Sequence, residues 1–170
     1  MCEITISNLN ARGEKQGVDI EKLVESKKVE SLDLKGFELT KETIQILNNI
    51  PSLTTLNLYS CSSSGKINAD FRKIKKLVID NCKELDLSEI ELPEEVFIVG
   101  CGPVDIARLS VGNNVKHLSI HSSEIINSCF FEKMKWLKTL NVDGSSLDNE
   151  EALKRLKIKI SNEFEYHPIG

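Results

Sequence analysis

The chain has 170 residues, a length suited to one domain, and its 40% hydrophobic content can fill a continuous core. With 28% charged residues and a formal net charge of -4, it has no general attraction for phosphate backbones, so nucleic acid is disfavoured as a partner. No apolar run approaches the ~20 residues that span a bilayer, so no membrane association is expected.

The segment Met1 to Gly13 lacks a basic region followed by an apolar stretch, and no Asn-x-Ser/Thr sequon occurs anywhere in the chain. A cytoplasmic location is expected, with secretion as the alternative if an upstream signal was removed. Five cysteines is an odd number, with no CxxC pair and no metal-finger spacing to a histidine. Reduced thiols are predicted rather than a disulfide framework or a zinc site.

A spaced pattern runs through the chain from its start. It begins as Met1-xx-Ile4-x-Ile6-xx-Leu9 and returns as Val29-xx-Leu32-x-Leu34-xx-Phe37. Between these copies Asp19 can cap a helix that puts Ile20, Leu23 and Val24 on one face. After the second copy, Thr40 can cap a helix carrying Ile44 and Leu47 that stops before Pro51. Three copies follow in succession: Leu53-xx-Leu56-x-Leu58-xx-Cys61, Ile74-xx-Leu77-x-Ile79-xx-Cys82 and Pro93-xx-Val96-x-Ile98-xx-Cys101. From Ser60 to Leu92 the connecting segments read as short turns or extended pieces. The pattern continues as Val115-xx-Leu118-x-Ile120-xx-Ser123 and Leu137-xx-Leu140-x-Val142-xx-Ser145. Asp148 can start a third helix with Ala152 and Leu153, and the last copy reads Leu153-xx-Leu156-x-Ile158-xx-Ser161. Phe164, Tyr166 and Ile169 are expected to cover the open end of the core.

First positions fall at 1, 29, 53, 74, 93, 115, 137 and 153, so most steps lie between 19 and 28 residues, the period of a stacked-repeat architecture. These residues resemble the leucine-rich-repeat family over nearly the whole chain. The cysteine at the ninth position of three consecutive copies is similar to its cysteine-containing subclass. The resemblance implies an α/β fold, a leucine-rich-repeat solenoid with a curved parallel β-sheet on the concave face and helices and irregular turns on the convex face. One domain over 1–170 is expected, with about seven to eight repeats and 153–170 as C-terminal repeat and cap.

Within that template the fourth and sixth residues alternate inward on a short strand, and the first packs into the same core from the preceding turn. At the ninth position the chain leaves the strand, and a Cys or Ser side chain there can satisfy backbone groups that the turn leaves unpaired. Cys61, Cys82 and Cys101 are therefore expected to be buried, stacked and inert.

Outward positions, the third, fifth and seventh, form the concave face, where this family binds its partners. The fifth reads Thr5, Asp33, Asn57, Val78, Phe97, Ser119, Asn141, Lys157, and the seventh reads Ser7, Lys35, Tyr59, Asp80, Val99, His121, Asp143, Lys159. Most of these are polar. The exceptions, Tyr59, Val78, Phe97 and Val99, would come together on strands ~4.8 Å apart, a cluster that reads as a partner-binding surface, as a bland or self-associating one, or as a register error in the copy that starts at Pro93. His121 joins the candidate contact residues.

Chemistry-bearing arrangements are sparse. His117 and His121 share a face but lie ~13 Å apart along one strand, too far to share a metal. His121 and Asp143 would be neighbours with no third ligand. Ser60 replaces the glycine that a phosphate loop ending at Gly65, Lys66 and Ile67 requires, and Ile67 cannot ligate magnesium. Lys154, Arg155, Lys157 and Lys159 form a basic run, but eight Lys/Arg between 111 and 170 are matched by eight Asp/Glu, so a solvated edge is expected.

The expected function is a protein-protein interaction module without catalysis, cofactor or metal, whose partner is another protein. A homo-oligomer is left open. The alternatives are a structural subunit of a ribonucleoprotein or other stable assembly, or an adaptor arm of a larger protein.

Overall fold

A computed structural model describes residues 3–7, 29–63, 65–87, 89–109 and 114–161. In chain order, β1 (Glu3–Ser7) and β2 (Ser31–Lys35) are followed by α1 (Lys41–Asn48), β3 (Thr55–Tyr59), the short β4 (Ala69–Asp70) and β5 (Lys76–Asp80). Then come the short β6 (Ile90–Glu91), β7 (Glu95–Val99), β8 (Val104–Asp105), α2 (Ile106–Leu109), β9 (His117–His121) and β10 (Glu124–Ile126). A 3₁₀ helix (Ser128–Lys133), β11 (Thr139–Asn141), β12 (Ser146–Leu147), α3 (Glu151–Lys154) and β13 (Lys159–Ser161) complete the described elements.

One sheet of eight parallel strands, ordered β1-β2-β3-β5-β7-β9-β11-β13, carries the spaced pattern. Its register stacks like on like: Leu32, Leu56, Leu77, Val96, Leu118 and Leu140 are successive partners. All six are at most 1% exposed. The sixth-position residues Leu34, Leu58, Ile79, Ile98 and Ile120 form a second column, each fully buried. Period-two alternation thus feeds one face of every strand into a shared core. The copy at Pro93 is in register, because Val96 pairs with Leu77 on one side and Leu118 on the other.

The connections between the strands of this sheet are mixed, with short strands, short helices and turns. They form a three-stranded sheet β12-β10-β8 and a two-stranded sheet β4-β6, and between Ser60 and Leu92 the described connecting residues are turns and short extended pieces. Thr40 caps α1 by accepting from the Thr43 N–H at 3.2 Å, and Ile44 and Leu47 enter the core at 3% exposure each. The expected helix around Ile20, Leu23 and Val24 and the expected cover by Phe164, Tyr166 and Ile169 lie outside the described residues.

The six copies that carry β2, β3, β5, β7, β9 and β11 leave their strands by one device. The eighth-position residues Gly36, Ser60, Asn81, Gly100, Ser122 and Gly144 all have left-handed backbone, with φ between 50° and 71°. This residue turns the chain so that the ninth side chain points back under the sheet. Glycine takes that conformation without strain, whereas serine and asparagine are held there by the surrounding bonds.

Two expectations are corrected. The last copy does not follow Leu156 and Ile158: Ile160 pairs with Leu140, and Lys159 pairs with Thr139 at a third position. The turn of α3 is the reason, since Arg155 N–H and Leu156 N–H still bond Ala152 and Leu153 carbonyls, which delays the strand by four residues. Lys157 and Lys159 are therefore not fifth- and seventh-position residues. Asp148 does not cap α3, whose N-cap is Glu150 with no side-chain bond. Its carboxylate instead accepts from the Asn127 and Ser128 N–H groups at 2.6 and 3.1 Å and from the Ser128 hydroxyl at 2.5 Å, holding the start of the 3₁₀ helix one copy earlier.

Candidate functional site: the outer face of the sheet

The face opposite the core is built by the fifth- and seventh-position rows. Asp33, Asn57, Val78, Phe97, Ser119 and Asn141 are successive cross-strand partners, and so are Lys35, Tyr59, Asp80, Val99 and His121. Toward both ends the polar members tie one another down. Asn57 donates to Asp33 at 2.6 Å, Asn141 accepts from the Asp143 N–H at 2.9 Å, and His117 shares a 2.8 Å hydrogen bond with the Thr139 hydroxyl. Asp33 and Asn141 are consequently buried at 6% and 7% exposure although they face outward.

At the centre the side chains are apolar. Phe97 and Val99 project from β7 in a half-buried pair, with the Lys76 ammonium 4.5 Å from the centre of the Phe97 ring. Val78, expected to be a contact residue, is only 2% exposed yet stands outside the main core cluster. The cause is its setting: a short side chain between the larger Asn57 and Phe97 on the two neighbouring strands. It lies beside Phe97 in the fifth-position row and offers almost no surface of its own. Tyr59 is half-buried and separated from Val99 by Asp80, which lies between them in the seventh-position row. The apolar surface is thus Phe97 with Val99, and Tyr59 forms a second island across one carboxylate.

His121 follows Val99 in the row and is half-buried. Its ring packs over the turn after Asp143, where a Cβ on Gly144 would lie 3.3 Å from its Cε1. No family model matches the chain, and no curated protein matches it. Among the described residues no group of three or more His, Cys, Asp or Glu side chains is placed to hold a metal ion, and no helix is long and apolar enough to cross a membrane.

Beneath this face runs a ladder of ninth-position side chains. Cys61 and Cys82 are buried and Cys101 is half-buried. The Cys61 N–H donates to the Cys82 sulfur at 3.2 Å, and the Cys82 thiol lies 3.4 Å from the Leu58 carbonyl of the preceding strand and 3.3 Å from its own Asp80 carbonyl. Ser123 and Ser145 repeat the arrangement. Their hydroxyls accept from the Cys101 and Ser123 N–H groups at 3.2 Å and donate to the His121 and Ile120 carbonyls at 3.0 Å. Hydrogen bonding to Cys61 and burial push the Cys82 thiol up, and burial pushes the Cys101 thiol up. Both are held away from the thiolate form that nucleophilic or metal chemistry uses. Sequence reasoning missed the left-handed eighth residue that aims these side chains. The signal was present as the uniformly small or amide set Gly36, Ser60, Asn81, Gly100, Ser122 and Gly144.

Proposed function

We propose that this chain is a leucine-rich-repeat module that recognises another protein on the outer face of its parallel sheet, without turnover. The observation that carries this reading is the half-buried Phe97 and Val99 pair, beside the buried Val78, at the centre of a face whose flanks carry hydrogen-bonded polar side chains. An aromatic anchor surrounded by hydrogen-bonded polar side chains matches the anatomy of a binding hot spot, where a central aromatic carries the energy and the rim excludes water. Tyr59 and His121 supply the two shoulders of the contact, and Cys61, Cys82 and Cys101 hold the strand ends that present it.

The test is a paired affinity capture from native lysate with wild type and Phe97→Asp, each first checked by thermal melting. Phe97→Asp forfeits the contact with Lys76, worth ~0.5 to 1 kcal/mol at a partly exposed site, so its melting temperature should fall by only a few degrees. It removes the aromatic anchor and puts a carboxylate beside Lys76 at the centre of the interface, where even a paired charge costs desolvation, and should abolish capture of the specific partner. An unfolded variant would return Phe97 to the core, and a folded variant that retains every partner at wild-type affinity would remove the outer face as the site.

A further inference from the structure

Among the described residues, a cleft of about 410 Å³ lies between the Met134 to Leu137 turn and the Arg155 to Ile158 stretch. Its walls are apolar: Phe131 and Leu137 are buried, and Leu156 and Ile158 are half-buried. Its rim is cationic, with Lys135, Arg155 and Lys157 all exposed. Glu132 is the only acidic side chain among the described residues that line it, and it lies 3.7 Å from the Arg155 guanidinium. Trp136, between the lining residues Lys135 and Leu137, is 62% exposed, more than any other large hydrophobic side chain among the described residues. In a chain of net charge -4, a cleft with apolar side chains in its walls and a lysine and arginine rim is a local reversal of the general surface, and an exposed indole neighbours two of its lining residues in the chain.

We propose that this cleft is a docking site for an extended acidic segment of another protein, in which carboxylates alternate with apolar side chains. The carboxylates would meet Lys135, Arg155 and Lys157, and the apolar side chains would enter between Leu137, Leu156 and Ile158 with Trp136 against them. A polyphosphate would use the rim but leave the apolar walls unfilled, and a long polyanion is repelled by the chain's net charge. A short acidic peptide has both halves of the complement. None of the lining residues belongs to the outer face of the sheet, so this site and the Phe97 site succeed or fail separately.

Trp136 is the only tryptophan in the chain, which makes its emission a direct reporter. The full chain is titrated with a synthetic peptide of alternating Glu and Leu. The expected result is a saturable blue shift whose affinity falls as salt rises. Combined Lys135→Glu and Lys157→Glu substitution should weaken binding about tenfold or more, while the melting temperature stays constant because both side chains are exposed. Lys41→Glu, on α1, should leave the affinity unchanged. No saturable shift would overturn the proposal, as would an equal response to a peptide with Lys in place of Glu. Equal binding of an oligouridylate would show that the rim reads charge alone, and an emission shift on concentrating the protein without peptide would give the cleft to a second copy. Either outcome also overturns it.

Discussion

Replacing Cys82 separates two roles that a buried cysteine can have, passive filler and hydrogen-bonding link. Its sulfur accepts from the Cys61 N–H at 3.2 Å and its thiol faces the Leu58 and Asp80 carbonyls at 3.4 and 3.3 Å, all at 3% residue exposure. Cys82→Ala strands the Cys61 N–H in a dry core, which costs ~1 to 3 kcal/mol. It also removes an atom from a packed site, worth about 1 kcal/mol. The sum is ~2 to 4 kcal/mol.

Cys82→Ser removes the same apolar atom but keeps a donor and an acceptor. The structure already shows that a hydroxyl fits, because Ser123 and Ser145 make the equivalent pair of bonds two and three copies further on. Its cost should therefore be about 1 kcal/mol. Urea unfolding of the three proteins with a common slope measures the difference as a shift in midpoint. If Cys82→Ser is as destabilised as Cys82→Ala, or more so, the sulfur acts only as a small hydrophobe and the ladder contributes nothing as a set of hydrogen bonds.

Leu77→Ala should cost ~2 to 5 kcal/mol, because Leu77 is fully buried between Leu56 and Val96. The exposed Lys73→Ala should stay within about 0.5 kcal/mol, and equal losses in urea melts would refute the assigned register. A third expectation concerns acid. Hydrogen bonds from the Ser128 hydroxyl and from the Ser128 and Asn127 N–H groups hold the Asp148 carboxyl below its ordinary value. A depressed folded value means that its stabilisation is complete above the unfolded value of about 3.9 and is lost as pH falls through the lower folded value. The urea midpoint of wild type should therefore exceed that of Asp148→Asn at neutral pH and converge on it as the solution is acidified, and a gap independent of pH would refute the assignment.

What the sequence determined by itself is the part of the molecule that repeats. Apolar residues at the fourth and sixth positions specify which face of each strand is buried, because strand side chains alternate and a one-residue slip would expose Leu77 and Ile79 together. The Thr40 cap of α1 is legible because it depends on chemistry within one copy, and the ninth residue is legible as a turn-bonding group because its Cys or Ser recurs at one position, although its bonds run to the neighbouring copy.

What depends on a neighbour some twenty residues away is not legible. Val78 reads as an outward valine, and only its place between Asn57 and Phe97 on the neighbouring strands makes it inaccessible. Asp148 reads as a helix cap until the preceding copy brings the Ser128 and Asn127 N–H groups within 3.1 Å. The register of β13 was set by the helical turn at Arg155 and Leu156, which outweighed the pattern in Leu156 and Ile158 because completing hydrogen bonds already begun leaves fewer backbone groups unpaired. The cationic cleft also exists only in three dimensions. Across the C-terminal stretch the charges cancel, but folding sets Lys135 beside Arg155 and Lys157, because stacking parallel strands converts a separation of twenty residues in the chain into contact in space.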